Sequence, residues 1–173
     1  MITNWSIILT TKIKVCWEPE EYIDLDYTLN LGGYGDEIFK QYMHEPYKNS
    51  ISNDVYALPN PMPKFVDEVM NNFKYDIVGV AFNRTPPGCI LPLHGDHYTN
   101  FLKAYNINDI NKIHRYILFL EDAKLGHMMQ IEKKVYADWK AGDLVDWWGD
   151  SLHAAYNMGI EHRYTMQITC SNK

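Results

Sequence analysis

Residues 126–157 read GHMMQIEKKVYADWKAGDLVDWWGDSLHAAYN. Short β-type runs, Met128 to Tyr136, Leu144 to Trp148 and His153 to Asn157, are cut apart here by Gly-Asp and charged turn residues. Working outward, the same grammar gives Ile77 to Asn83, Ile90 to Leu93, Arg115 to Leu120 and His162 to Cys170. Many short strands at this spacing predict a small antiparallel sandwich or barrel.

Upstream the pattern changes. Residues 7 to 17 (IILTTKIKVCW) alternate as a strand would, and the acidic stretch after Pro19 breaks the run. Asp36 to His44 puts Ile38, Phe39, Tyr42 and Met43 on one helical face before Pro46. Pro63 opens a second helix, with Phe65, Val66, Val69, Met70 and Phe73 on the side that backs the sheet. Residues 99 to 112 (TNFLKAYNINDINK) are polar and long for a connection, and read as a surface loop or a lid.

At 173 residues, one domain is expected, with residues 1–75 as support and 76–173 as the β core. A net charge of −6 supplies no field for phosphate backbones or anionic lipid, so neither nucleic acid nor membrane is expected as a partner. Cys16, Cys89 and Cys170 are odd in number and widely spaced, which predicts a reducing, cytoplasmic setting. The first residues show neither a basic n-region nor a cleavage site, and no run is long enough to span a bilayer.

The polar chemistry concentrates in LPLHGDHY at 91–98. On an extended chain His94 and Asp96 project from one face, and two such groups want one more ligand to hold a metal ion in the facial arrangement of non-haem Fe(II) sites. His153, on an expected strand, is the third ligand chosen here. Ten residues on, Arg163 and Thr165 share a strand face and offer a planar fork beside a hydroxyl, a receptor for a carboxylate. Several neighbours carry two readings. His97, Tyr98, Trp147 and Trp148 face a substrate or simply pack; Arg84 binds a substrate carboxylate or is a solvated loop cation; Cys89 reads as a small buried residue.

The set His94-x-Asp96, His153, Arg163-x-Thr165 resembles the Fe(II)- and 2-oxoglutarate-dependent oxygenase superfamily. PPGCILPLHGD at 86–96, RYILFL at 115–120 and the 126–157 stretch are similar to its aspartyl/asparaginyl β-hydroxylase and proline hydroxylase-like branch. The resemblance covers about residues 77–170. It implies a mainly β fold, the double-stranded β-helix (jelly roll, cupin-like), with a few supporting N-terminal helices. It implies Fe(II) on His94, Asp96 and His153, and 2-oxoglutarate with its distal carboxylate on Arg163, beside Thr165 and Asn83. Arg115 matches a strand arginine that holds the oxoacid or a substrate acid, while Ile117 stands where many relatives have a histidine. The implied activity is O2-dependent hydroxylation of a C–H bond in a small amino acid, proline-like, or in a peptide side chain. Two other readings stay open: a non-catalytic cupin-like binding domain, and a β-roll metalloenzyme that does not use 2-oxoglutarate.

Overall fold

A computed structural model describes residues 12–29 and 55–172. The helix expected over 36–44 and the first half of the strand expected over 7–17 lie outside these residues. From 13 to 17 no strand forms, and the chain touches the sheet through a single bridge between Lys12 and Asp143. Trp17 takes over the anchoring. It packs on Phe65 at 5.4 Å, and its indole N–H donates to the Leu120 carbonyl at 2.9 Å. After Pro19 the acidic stretch forms a one-turn helix, α1 (Glu20–Ile23), which buries Tyr22.

Helix α2 (Phe65–Met70) buries Phe65, Val66 and Val69, positions i, i+1 and i+4 of one face. It ends where the Asn72 side-chain amide donates to the Val69 carbonyl at 2.9 Å. Among the described residues the strands are, in chain order, β1 (Thr28–Leu29), β2 (Val55–Ala57), β3 (Ile77–Thr85), β4 (Cys89–His94), β5 (His114–Phe119), β6 (His127–Ile131), β7 (Lys134–Tyr136), β8 (Leu144–Trp148), β9 (His153–Asn157) and β10 (Arg163–Ser171). One sheet has the order β1-β2-β3-β10-β5-β8 and the other β4-β9-β6-β7. From β3 onward the chain passes back and forth between the two sheets, which is the double-stranded β-helix. The run expected as one strand from Met128 to Tyr136 is a hairpin, turned where Glu132 adopts φ 52°.

Residues 99–112 are not an open loop. They form α3 (Thr99–Tyr105) and a 3-10 turn (Ile110–Lys112), flanked by left-handed Tyr98 and Asn106. Phe101 lies so close to β3 that a Cβ on Gly79 would stand 3.2 Å from its ring, so the glycine makes the room.

Alternation along the strands sorts the core into two layers. On β10, Tyr164, Met166, Ile168 and Cys170 face outward, into a cluster with Phe82, Leu118, Trp17, Tyr22 and α2. Inside the roll, Ile117, Phe119, Met129, Ile131, Trp139, Val145 and Trp147 pack together. Phe82 is fully buried and meets Phe65 edge-on at 5.9 Å, joining α2 to the sheet. Phe82→Ala therefore costs about 3–5 kcal/mol of stability, read by urea unfolding. A loss under about 1 kcal/mol would mean that α2 does not depend on this contact.

Candidate metal centre and adjoining cleft

His94 ends β4 and His153 begins β9, and the register sets them opposite one another after an irregularity between Leu91 and His94. Bulges of this kind re-aim side chains; here the two imidazoles come to 4.3 Å between centroids. Each ring is fixed from behind. The Nδ1–H of His94 donates to the Pro92 carbonyl at 2.8 Å, and that of His153 to the Ser151 carbonyl at 3.0 Å. A carbonyl only accepts, so both neutral rings carry the proton on Nδ1 and present Nε2 lone pairs forward.

Asp96 closes the group from beyond the strand end. Its Oδ1 lies 3.6 Å from His94 Nε2 and its Oδ2 lies 3.7 Å from His153 Nε2. Ligand atoms of the three residues all fall within 4.8 Å of one another, so the group can hold a metal ion. The chain reaches this position because Gly95 passes under Asp150: a Cβ there would meet the Asp150 carbonyl oxygen at 2.6 Å. Burial resists charge on Asp96, but the Arg115 guanidinium at 3.2 Å and the neighbouring histidines hold its carboxyl well below the ordinary range. Burial pushes His153 down to about 4, against the opposing pull of Asp96. With His153 neutral at pH 7, the group offers one carboxylate and two imidazole nitrogens, a donor set suited to a borderline divalent ion.

A cleft opens beside His153. Asn83 and Thr85 of β3 and Arg163, Thr165 and Gln167 of β10 form its polar wall. The antiparallel register makes Thr165 the partner of Asn83 and Arg163 the partner of Thr85. Arg163 is 4% exposed and lies over the Trp139 ring at 5.8 Å. Ile117 of β5 and Trp147 of β8 continue the same sheet as an apolar stretch, and Met129 of β6 lines the cleft from the other sheet.

The structure thus gathers His94, Asp96 and His153 into one group, and sets Asn83, Arg163 and Thr165 in the cleft beside it. Arg115 stands apart, on Asp96, and does not line the cleft. Its register partner Thr169 is six residues from Arg163 along β10, which separates the two arginines by about 20 Å of strand. Trp147 and Trp148 part ways: Trp147 packs on His153 at 4.3 Å, whereas Trp148 is half exposed and stacks on His114 at 4.0 Å. His97 is exposed, Tyr98 is buried, and Arg84 lies over the Tyr27 ring at 4.5 Å, outside the cleft. Cys89 is buried in the cleft wall. Sequence reasoning missed Gln167, although the two-residue period that leads from Arg163 to Thr165 continues to it. It also missed Met129, for which a strand position alone gives no signal.

No family model matches the chain, and no curated protein matches it. Solved structures do. A Pseudomonas putida prolyl-4-hydroxylase superposes with a TM-score of 0.53 at 14% identity, over 69% of this chain and 72% of its own. A protein described as a predicted oxalate decarboxylase of Thermotoga maritima gives 0.41 at 18% identity, over 68% and 79%. A Photorhabdus luminescens protein gives 0.39 at 15% identity, over 54% of this chain and 62% of its own, so the match spans about three fifths of that protein. At these identities the likeness is one of fold, the double-stranded β-helix. Among the described residues no helix is long and apolar enough to cross a membrane.

The depressed His153 pKa sets a pH dependence in the metal-free protein. Between about 6.5 and about 4 the unfolded chain binds a proton that the folded site refuses, so stability falls as pH drops through this window. The contribution is on the order of 3 kcal/mol. Below about pH 5 Asp96 adds to the same fall, because its carboxyl is held low in the folded site while that of the unfolded chain begins to bind a proton. Burial also lowers His127 and His162, which leaves some slope when His153 is removed. Urea unfolding from pH 4 to 7 should give a flatter profile for His153→Gln than for wild type; equal slopes would contradict a neutral, buried His153.

Proposed function

We propose that the protein is an Fe(II)- and 2-oxoglutarate-dependent oxygenase that hydroxylates an unactivated C–H bond. The carrying observation is that a buried arginine, Arg163, lines the same cleft as His153 of the metal-binding group. A β-roll metalloprotein that takes no oxoacid would not need an arginine at this place, ten residues after the distal histidine.

The residues fit the missing groups. Two imidazole nitrogens and one carboxylate oxygen on the same side of an ion leave the other side open, as non-haem Fe(II) sites require. When bound, Fe(II) chelated by 2-oxoglutarate supplies the O2 activation that couples oxidative decarboxylation to C–H hydroxylation. The chain does the rest by placement. Arg163 receives the distal carboxylate through its planar fork, with Thr165 and Asn83 adding hydrogen bonds from the adjoining strands. Ile117, Met129 and Trp147 in the lining exclude water and strengthen every charge interaction inside. Asp96, kept ionised, and the two Nδ1-anchored imidazoles are ready to ligate without first losing a proton.

The substrate belongs to the small amino acids, proline-like, or to peptide side chains, and the modest cleft favours a small molecule. Three free cysteines suit a reducing compartment, for which we take the cytoplasm.

Anaerobic titration of the metal-free protein with Fe(II) and 2-oxoglutarate tests this without knowledge of the substrate. A visible metal-to-ligand charge-transfer band is expected in wild type and none in His153→Ala. Arg163→Ala should need roughly ten- to hundredfold more 2-oxoglutarate, the loss of a charge-assisted contact. No band in folded wild-type protein rejects the proposal.

A further inference from the structure

Arg115 is buried to 7% exposure although the cleft does not use it. A desolvated guanidinium must find a partner, and its partner is Asp96, with Nη2 at 3.2 Å from Oδ2. Tyr98 covers it, with its ring centroid 4.8 Å from Cζ. Tyr98 is itself buried and holds φ 49°, a left-handed conformation that bulky residues seldom adopt and that persists only where surroundings impose it. Trp147, the register partner of Arg115 across β5 and β8, packs on His153. The guanidinium is thus boxed in place against one oxygen of one prospective ligand.

We propose that Arg115 is a positioning residue that occupies Oδ2 of Asp96, so that the carboxylate meets the metal ion through Oδ1 alone. Oδ1 is the oxygen nearer His94 Nε2 and Oδ2 the one nearer His153 Nε2, so both face the ligand pair and only the guanidinium tells them apart. A carboxylate has two donor oxygens and chelates through both when nothing holds one of them back. Two-oxygen binding would consume one of the coordination positions that an oxoacid and O2 need. The N–H donated to Oδ2 opposes this. The same charge has a second consequence. Outer partners of metal ligands are usually carboxylates or carbonyls that strengthen the donor. A cation does the opposite, weakening Asp96 as a donor and repelling the ion across a partly desolvated space. Arg115 keeps the site open by making it bind metal less tightly than its ligands would allow. This inference rests on the metal centre of the proposed function and is independent of 2-oxoglutarate.

Mn(II) alone is the probe, on the full chain, with affinity read from the EPR signal of free Mn(II) and bound water counted by water-proton relaxation. Wild type should retain water at the three positions opposite the triad. Arg115→Met should bind Mn(II) about tenfold or more tightly and lose about a third of the bound water. Arg115→Lys, which keeps the charge, should keep the weaker affinity. A merely structural arginine predicts the reverse, weaker binding through a loosened site. Equal or weaker Mn(II) binding with unchanged water in folded Arg115→Met would overturn the inference. Should that variant fail to fold, Arg115→Gln is read instead: it lacks the charge, so its affinity must rise, and an affinity at or below wild type overturns the inference equally. If wild type binds no Mn(II) in a His153-dependent way, the metal centre fails, and with it the proposed function.

Discussion

Two antiparallel strands, β4 and β9, meet in a register that puts His94 directly opposite His153. Directly opposed residues on one face bring their Cβ atoms within about 5 Å, which is what allows two imidazoles to address one point. A slip of one residue would turn one ring to the other face of the sheet. The irregularity between Leu91 and His94 is part of this arrangement, since it adjusts the phase of β4 just before its last residue. From that pairing the rest follows locally. Each ring is braced by a carbonyl two residues before it, Pro92 and Ser151. Gly95 lets the chain pass beneath Asp150 and deliver Asp96.

The second sheet meets a different demand. Strand β10 carries an apolar row outward and a polar row inward, and the two rows do opposite things to stability. Tyr164, Met166, Ile168 and Cys170 close a hydrophobic layer with α2 and the Trp17 segment. Arg163, Thr165 and Thr169 on the inner row are buried polar groups, whose desolvation opposes folding unless each is paired. The apolar cluster inside the roll is complemented by this second layer outside it. The Trp17 segment and α2 have their physical role here.

The strands from Ile77 onward were legible because Pro-Gly, Gly-Asp and charged turns punctuate them, and Leu144–Trp148 and His153–Asn157 have the expected ends. The hairpin hidden in Met128 to Tyr136 was not, because its positive-φ turn residue is Glu132, which carries no turn signature. Residues 99–112 concealed a helix for the same reason: its left-handed ends are Tyr98 and Asn106 rather than glycine. In the site, the period of two was enough to select His94 with Asp96 and Arg163 with Thr165. It could not say that Asp96 lies just past a strand end, nor that Arg115 spends its charge on Asp96. Such facts depend on which strands become neighbours, and that is a property of the register between distant segments.

The most direct test of the account is an anaerobic crystal structure of the chain with Mn(II) and 2-oxoglutarate. One ion is expected, ligated by His94 Nε2, Asp96 Oδ1 and His153 Nε2, with the oxoacid chelating it and its distal carboxylate on Arg163 between Thr165 and Asn83. An ion bound elsewhere, or an oxoacid lying away from Arg163 while the cleft is empty, would contradict it.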